Sequence, residues 1–268
     1  MSIGDAEIKT QERVIRFFKD PEILGYQYIG NLSDYQNKNI KEDRLRQYLR
    51  LKGYGEKLID GAITQLQQEA GNLSRGLYDA NKTVYSRLKY GVPVNESPEK
   101  PPMTVQLIDE EHPLNNDFAI AEEVTVVEQS EKRPDLVVYL NGIAVAVIEL
   151  KRSSISVSEG IRQNLTNQKN SFIQGFFTTM QFCMAGNESE GLRYGTLLTG
   201  EKFYMEWKDD GFKEHEEERD PVDVRISKTC EGIENKLLKQ IYAMFDKERF
   251  IDLIMNFVVF DKGIKKVC

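Results

Sequence analysis

The sequence of 268 residues predicts an α/β fold, because the spacing of its apolar residues changes along the chain. In the first third, apolar residues recur at helical spacing, as Val14 and Phe18 do. Between residues 103 and 150 the pattern changes to short β-rich runs. Near the end, amphipathic stretches at 233–245 and 250–260 predict a small helical C-terminal tail within residues 221–268.

Residues 1–100 are predicted to form a helical N-terminal part. Gly91 follows the last helical stripe and is the residue type that commonly ends a helix. The four segments with an apolar stripe at helical spacing are 10–20, 40–52, 56–69 and 77–89.

Residues 101–207 are predicted to form the β-rich core. Asn141 and Gly142 separate two apolar runs, and this dipeptide is the strongest short-range signal for a β-hairpin. The second run, 143–150, is almost wholly apolar, as expected for a central strand buried on both faces. A helix is predicted at 157–169, with Ser158 as its N-cap. Strand-like runs follow at 180–186, 194–200 and 202–207.

The acidic charge balance argues against a free-standing protein that binds DNA nonspecifically. The formal net charge is −7, whereas a free-standing protein that binds DNA nonspecifically usually has a basic excess. Residues 208–220 are strongly acidic and are predicted to form a solvated loop. No apolar run is long enough for a membrane span, and the N-terminus lacks a leader pattern. We therefore expect no membrane association and a cytoplasmic location.

Cysteine and histidine chemistry has few candidate residues. Cys183, Cys230 and Cys268 are far apart and lack the spacing of a zinc site, so we interpret them as reduced bystanders. His112 and His215 are the only histidines, which disfavours histidine-centred catalysis.

One spacing stands out among the charged residues. Asp135 is followed, after thirteen residues, by Glu149, Leu150 and Lys151. An antiparallel hairpin would fold Asp135 and Glu149 to the same edge of the sheet, and alternation would turn Glu149 and Lys151 to one face. The Glu-x-Lys string alone is weak, since it also occurs at 7–9, 206–208 and 234–236.

Two carboxylates beside an ammonium group suit metal-dependent phosphodiester hydrolysis. Carboxylate oxygens are hard ligands for Mg²⁺, and a bound metal ion acidifies water and polarises the phosphate. The alternative interpretation is an exposed charge triplet on an ordinary surface. The residues alone leave both interpretations open.

The stretch from about residue 115 to residue 200 resembles a known family. The segments are NNDFAIAEEVTV, RPDLVVYLNGIAVAVIELKRS, EGIRQNLTNQ and RYGTLLTG. They are similar to the N-terminal nuclease domain of the restriction (R, HsdR) subunit of type I restriction-modification enzymes, in the PD-(D/E)xK nuclease superfamily. The resemblance implies a restriction-endonuclease-like core, with a central mixed β-sheet flanked by helices. It also implies a type I site-specific deoxyribonuclease that cleaves DNA with Mg²⁺.

The resemblance implies roles for particular residues. Asp135 and Glu149 would bind the metal, and Lys151 would assist the attacking water. The family carries a Q-x-x-x-Y motif on the next helix. Gln163 occupies the glutamine position, and Asn167 stands where the tyrosine is expected.

Three further residues are weaker candidates. Some superfamily members place an acid on the first helix, for which Glu12 is the candidate, although a surface glutamate near a helix start is equally ordinary. Arg133 and Arg152 flank the predicted site and are candidates for DNA phosphate contacts.

The resemblance also implies partners outside this chain. R subunits couple the nuclease to an ATP-driven helicase-like motor and assemble with methyltransferase and specificity subunits. No G-x-x-x-x-G-K-[ST] string occurs here, so ATP is expected only for an absent motor domain to which residues 221–268 lead. Two alternatives stay open: a stand-alone repair or recombination nuclease of the superfamily, and a non-catalytic DNA-binding or docking module with the same fold.

Overall fold

The computed structural model describes residues 3–97, 99, 101–208 and 220–267, with side chains from residue 7 onward. The predicted acidic loop therefore lies almost entirely outside the described residues, as do His215 and Cys268. Cys183 and Cys230 are buried, and neither forms a disulfide bond among the described residues, in line with the bystander interpretation.

Eight α-helices lie within the described ranges, and the helices of the first third match the predicted segments. They are α1 (Ile3–Lys19), α2 (Glu42–Leu51), α3 (Glu56–Gly71), α4 (Leu77–Tyr90), α5 (Val157–Asn167), α6 (Pro221–Glu231), α7 (Lys236–Phe245) and α8 (Lys247–Asn256). Three short 3₁₀ helices occupy Pro113–Asn115, Gln174–Thr179 and Glu201–Phe203.

Twelve strands are described, of which six form the central sheet. The central strands are β1 (Gln27–Asn31), β4 (Phe118–Glu122), β7 (Leu136–Leu140), β8 (Ile143–Leu150), β9 (Phe182–Asn187) and β10 (Gly191–Gly195). The others form three two-stranded ribbons: β2 (Val92–Val94) with β3 (Met103–Val105), β5 (Val126–Val127) with β6 (Glu131–Lys132), and β11 (Val258–Asp261) with β12 (Ile264–Val267).

The central sheet is mixed, as predicted. Its strand order is β1-β4-β7-β8-β9-β10, with parallel pairing at β1–β4 and β8–β9 and antiparallel pairing elsewhere. Every residue of β8 is buried, as expected for a central strand covered on both faces. One face carries the larger apolar cluster, which includes residues of α1–α4, α7 and α8, and α5 lies over the other face. The fold is therefore α/β with helices on both sides of the sheet.

The predicted turn between β7 and β8 is present. Asn141 and Gly142 both have positive φ values, 52° and 81°, as a tight hairpin turn of this kind requires. The Asn141 side chain is buried and donates to the carbonyl of Leu107 and to Asn116 Oδ1, each at 2.8 Å. The turn is thus fixed by side-chain hydrogen bonds as well as by its backbone conformation.

Several local predictions need correction. The stretch 250–260 is not one helix, because α8 ends at Asn256 and β11 begins at Val258. Helix α5 is capped by Ser156, whose side chain accepts from the backbone N–H of Ser158, and not by Ser158 itself. The run 202–207 is not a strand; it contains the end of a 3₁₀ helix and a single bridge at Met205.

The chain ends carry β structure that the helical predictions omitted. Strand β1 lies within residues 1–100 and forms an edge of the central sheet, and the β11–β12 hairpin lies within the C-terminal tail. A short strand beside longer amphipathic helices leaves little periodic signal, which explains the omission. No described helix combines the length and the apolar character that crossing a bilayer requires.

A buried lysine fastens the C-terminal hairpin to the core. Lys265 of β12 is 2% exposed, and its ammonium group donates to Asn81 Oδ1 at 2.9 Å, to the carbonyl of Met180 at 3.0 Å and to Gln181 Oε1 at 2.6 Å. Burial lowers the pKa of this lysine well below its ordinary value. All three acceptors are uncharged, so the hydrogen bonds must offset the cost of burying the ammonium group.

Replacing this lysine should destabilise the whole fold. Lys265→Met keeps the length of the side chain but leaves buried oxygens of Asn81 and Gln181 without their donor, so we expect a loss of about 3 kcal/mol in the free energy of unfolding. The neighbouring Lys266 is exposed and pairs with Asp261 at 3.2 Å, so Lys266→Met should cost no more than about 0.5 kcal/mol. Urea unfolding measures the loss of free energy in both variants, and equal losses would contradict a stabilising role for the buried Lys265.

Candidate active site

The β7–β8 register brings Asp135 and Glu149 together. Next to the turn, Leu140 faces Ile143 and Tyr139 faces Ala144. If this register continued unchanged along both strands, Asp135 would lie opposite Ile148. The register then shifts by one residue between Val138 and Tyr139, so that Leu136 faces Ile148.

Val145 is the extra residue of this bulge, and its carbonyl accepts from the backbone N–H of Gln181 at 2.7 Å. Continued by one residue beyond Leu136 and Ile148, this register sets Asp135 opposite Glu149. Directly opposed residues of antiparallel strands share a face, so the bulge places both carboxylates on one side of the sheet.

Asp135 is held at the end of β8 by the backbone. Its Oδ2 accepts from the N–H of Leu150 at 2.7 Å. The same oxygen lies 3.9 Å from the ammonium of Lys151, which also donates to the carbonyl of Leu150 at 3.0 Å. The two carboxylates and the lysine thus meet at the C-terminal end of β8.

Glu149 has one occupied and one free oxygen. Its side chain is fully buried, and Oε2 accepts from the Gln163 amide at 2.7 Å. Its Oε1 is buried and has no hydrogen-bond donor among the described residues, and the carboxyl group of Asp135 lies within hydrogen-bonding reach of the Glu149 carboxyl group. A buried polar atom without a hydrogen-bond partner is costly in a protein interior. At the end of β8 and beside a second acid, such an oxygen atom is suited to binding a ligand.

Burial and mutual repulsion disfavour the charged forms of both acids. Burial raises the pKa of Asp135 to about 6, against the opposing influence of Lys151. Burial, and then the negative charge of Asp135, raises the pKa of Glu149 well above its ordinary value. Two partly uncompensated carboxyl groups side by side are therefore a local source of instability.

The first helix supplies a different acid from the one predicted. Glu7 of α1 accepts from the Lys151 ammonium at 3.3 Å, so it lies at the site. Glu12 is exposed and makes no described side-chain contact with the site. Because α1 presents Glu7 to the end of β8, only the packing of the helix could identify this residue.

An acidic pair at the end of β4, formed by its last residue Glu122 and the following Glu123, borders the site. Gln11 of α1 donates to Glu122 and to Glu123, each at 3.0 Å. Glu123 also pairs with Arg133 at 2.9 Å, and its charge raises the pKa of Asp135. Arg133, which was predicted to contact DNA phosphates, therefore forms an ion pair with Glu123 instead. Arg152 follows Lys151 directly and is half-buried, with no described side-chain partner.

Helix α5 brings Gln163 to the site, but not through a Q-x-x-x-Y pair. Asn167 is buried at 2% exposure, and its backbone carbonyl accepts from Ile173 at 3.2 Å. A tyrosine nevertheless packs against this helix from another segment: Tyr204 joins the small apolar cluster that contains Val157 and Ile161. Its hydroxyl is buried without a described hydrogen-bond partner.

Within the described ranges, no group of three or more histidine, cysteine or acidic side chains is arranged to hold a metal ion. Mg²⁺ sites in proteins commonly use only one or two carboxylates, with water and substrate phosphates completing the coordination.

Comparisons with known proteins agree with this arrangement. The family described as Type I restriction enzyme R protein N terminus matches residues 7–203, which include every residue of the candidate site. The chain belongs to this family. The match covers well over half of the sequence and confirms the resemblance noted from its motifs.

Two curated relatives carry matching names. One is the putative type I restriction enzyme MjaIXP endonuclease subunit of Methanocaldococcus jannaschii, 27% identical over 202 residues, which cover 68% of this chain and 18% of the relative. The other is the type I restriction enzyme SsaAORF53P endonuclease subunit of Staphylococcus saprophyticus, 28% identical over 110 residues, which cover 39% of this chain and 11% of the relative. The chain thus spans less than a fifth of the length of these relatives.

Removing a charge from the carboxyl pair should stabilise the protein. Glu149→Gln retains an oxygen that accepts from Gln163 and removes the repulsion from Asp135. In metal-free buffer at pH 8 we expect a gain of about 1–3 kcal/mol in the free energy of unfolding.

The gain should depend on pH in a defined direction. Folding raises the pKa of both acids, so the folded state binds more protons than the unfolded state above about pH 4, and the unmodified protein loses stability as the pH rises. The advantage of Glu149→Gln should therefore be small near pH 4 and grow through pH 6. Glu12→Gln, at an exposed position, is the control. A variant no more stable than the unmodified protein at pH 8 would contradict the repulsion.

Proposed function

We propose that this chain is the DNA-cleaving part of a type I restriction enzyme R subunit. In this proposal it is a Mg²⁺-dependent endonuclease of the PD-(D/E)xK superfamily that hydrolyses phosphodiester bonds. One observation carries the proposal: the fully buried Glu149 at the end of β8 and the mostly buried Asp135, which directly precedes β7, lie together with Lys151 beside them. Membership of the R protein N-terminal family supports the same reaction.

The residues present fit a divalent cation. Glu149 Oε1 is buried without a hydrogen-bond donor among the described residues, and burial raises the pKa of both acids, an effect that a bound cation would oppose. Asp135 and Glu149 would hold the ion. When bound, Mg²⁺ would supply Lewis-acid polarisation of the scissile phosphate and lower the pKa of an attacking water.

The side chains around the two acids have complementary roles in the proposal. Lys151 is mostly buried, and its ammonium group carries the positive charge needed to orient a water molecule and to stabilise negative charge on it. Gln163 holds Glu149 Oε2, which leaves Oε1 as the free ligand oxygen. Glu7 accepts from Lys151 and so restricts where the ammonium group points.

The charge of the chain favours delivery to DNA by partners. With a net charge of −7, the nuclease part has little electrostatic affinity of its own for phosphates. We propose that a helicase-like, ATP-driven motor and the methyltransferase and specificity subunits bring it to DNA in the cytoplasm. Arg152, half-buried beside Lys151, is the proposed phosphate contact, whereas Arg133 would first have to leave Glu123.

Metal binding tests the site directly. Mn²⁺ can be titrated into the 268-residue chain and followed by calorimetry or electron paramagnetic resonance. We expect one saturable site that weakens at least tenfold in Asp135→Ala and is retained in Glu12→Gln, an acid on α1 away from the site. Absence of binding in the unmodified chain would overturn the catalytic proposal and favour a non-catalytic docking module.

Replacing the lysine tests the reaction. In the complete R subunit assembled with its partners, Lys151→Met should reduce DNA cleavage by at least a hundredfold, because the charge beside the reacting water is removed. ATP hydrolysis and translocation should be unchanged, since they belong to the motor. Loss of all three activities would mean that Lys151 supports the fold or the assembly.

A further inference from the structure

A glycine in the first half of α5 lies directly against the candidate metal ligand. Gly160 is buried in the interior of the helix, where glycine costs about 1 kcal/mol relative to alanine. A cost of this kind at a buried position indicates that close packing requires the absence of a side chain.

The packing around Gly160 leaves no room for a methyl group. A Cβ at this position would lie 2.9 Å from the Cβ of Ala185, 3.3 Å from the Cβ of Glu149 and 3.4 Å from the Glu149 carbonyl oxygen. Ala185 and Glu149 are direct partners on the parallel strands β9 and β8, in the centre of the sheet. Neither can withdraw without breaking the register of the sheet.

The same close approach sets the contact between Gln163 and Glu149. Gln163 follows Gly160 by three residues and so lies on the same side of the helix. Its amide donates to Glu149 Oε2 at 2.7 Å. One residue later, Asn164 donates to the carbonyl of Met184 at 2.8 Å and ties α5 to β9. The helix is thus held at a distance that a single Cβ would change.

We infer that Gly160 is a positioning residue for the candidate metal ligand Glu149. By letting α5 approach β8, it allows Gln163 to hold one carboxylate oxygen and leaves the other free to bind a cation. The consequence for the metal rests on the proposed function, whereas the consequence for the Gln163–Glu149 hydrogen bond does not.

The expected displacement is large enough to matter. Carbon atoms in ordinary contact lie about 3.5–4.0 Å apart, so a Cβ at residue 160 would push α5 from the sheet by roughly 0.6–1 Å. The hydrogen bond between Gln163 and Glu149 would then exceed about 3.2 Å and lose most of its strength.

Gly160→Ala tests the inference with two readouts. The first is the side-chain amide resonance of Gln163 in the 268-residue chain without metal, assigned by its loss in Gln163→Met. The second is the affinity for Mn²⁺. We expect the amide resonance to move to the position of a free glutamine and the affinity to fall about tenfold, as loss of an outer partner of a metal ligand usually causes.

Gly61→Ala is the matched control. Gly61 also lies inside a helix, α3, and its added Cβ would meet Cγ1 of Val94 at 2.4 Å, on elements that contribute nothing to the candidate site. This variant should alter stability without changing the Gln163 resonance or the affinity for Mn²⁺.

A rescue variant covers the case in which Gly160→Ala folds poorly. Ala185→Gly removes the nearest atom in the way, so the double variant Gly160→Ala/Ala185→Gly should regain the Gln163 resonance and most of the affinity. Unchanged Gln163 signals in Gly160→Ala, or no recovery in the double variant, would overturn the inference. If the Gln163 resonance shifts in Gly160→Ala and returns in the double variant as expected, but neither the unmodified chain nor any variant binds Mn²⁺, the proposed function alone would be overturned.

Discussion

The candidate site depends on one extra residue in the central strand of the sheet. Without the bulge at Val145, the hairpin would place Asp135 opposite Ile148, and Glu149 would point to the other face. The bulge is held by the hydrogen bond from Gln181 to the Val145 carbonyl, so the neighbouring strand β9 takes part in fixing the register. The geometry of the two acids is therefore a property of three adjacent strands rather than of a local motif.

A second constraint is electrostatic. Placing two carboxyl groups in the interior at the same edge raises the pKa of each, and Lys151 alone does not compensate for them. The rest of the fold tolerates this local cost because β8 is covered on both faces by apolar clusters. In the proposed function a bound cation would offset this local cost, so the site would be less stable without the ion than with it.

The helices and strands with a strong periodic pattern of apolar residues could be predicted from the sequence. The residues of the candidate site could be predicted only in part. The alternation of apolar residues and the Asn141-Gly142 turn predicted the β7–β8 hairpin, and the predicted following helix brings Gln163 into contact with Glu149. Glu7 could not be distinguished from Glu12, because only the angle at which α1 packs on the sheet decides which acid reaches Lys151. The C-terminal hairpin was missed since its buried position depends on Lys265, a residue type that predicts exposure.

Metal binding by Asp135 and Glu149 is tested most directly by a crystal of this chain soaked in Mn²⁺ and measured for anomalous scattering. We expect one strong peak within coordination distance of both Asp135 and Glu149 Oε1, with Gln163 still donating to Glu149 Oε2. A fully soaked crystal with no peak there, or with a peak only at surface carboxylates elsewhere, would contradict the assignment of these two acids as the metal-binding centre.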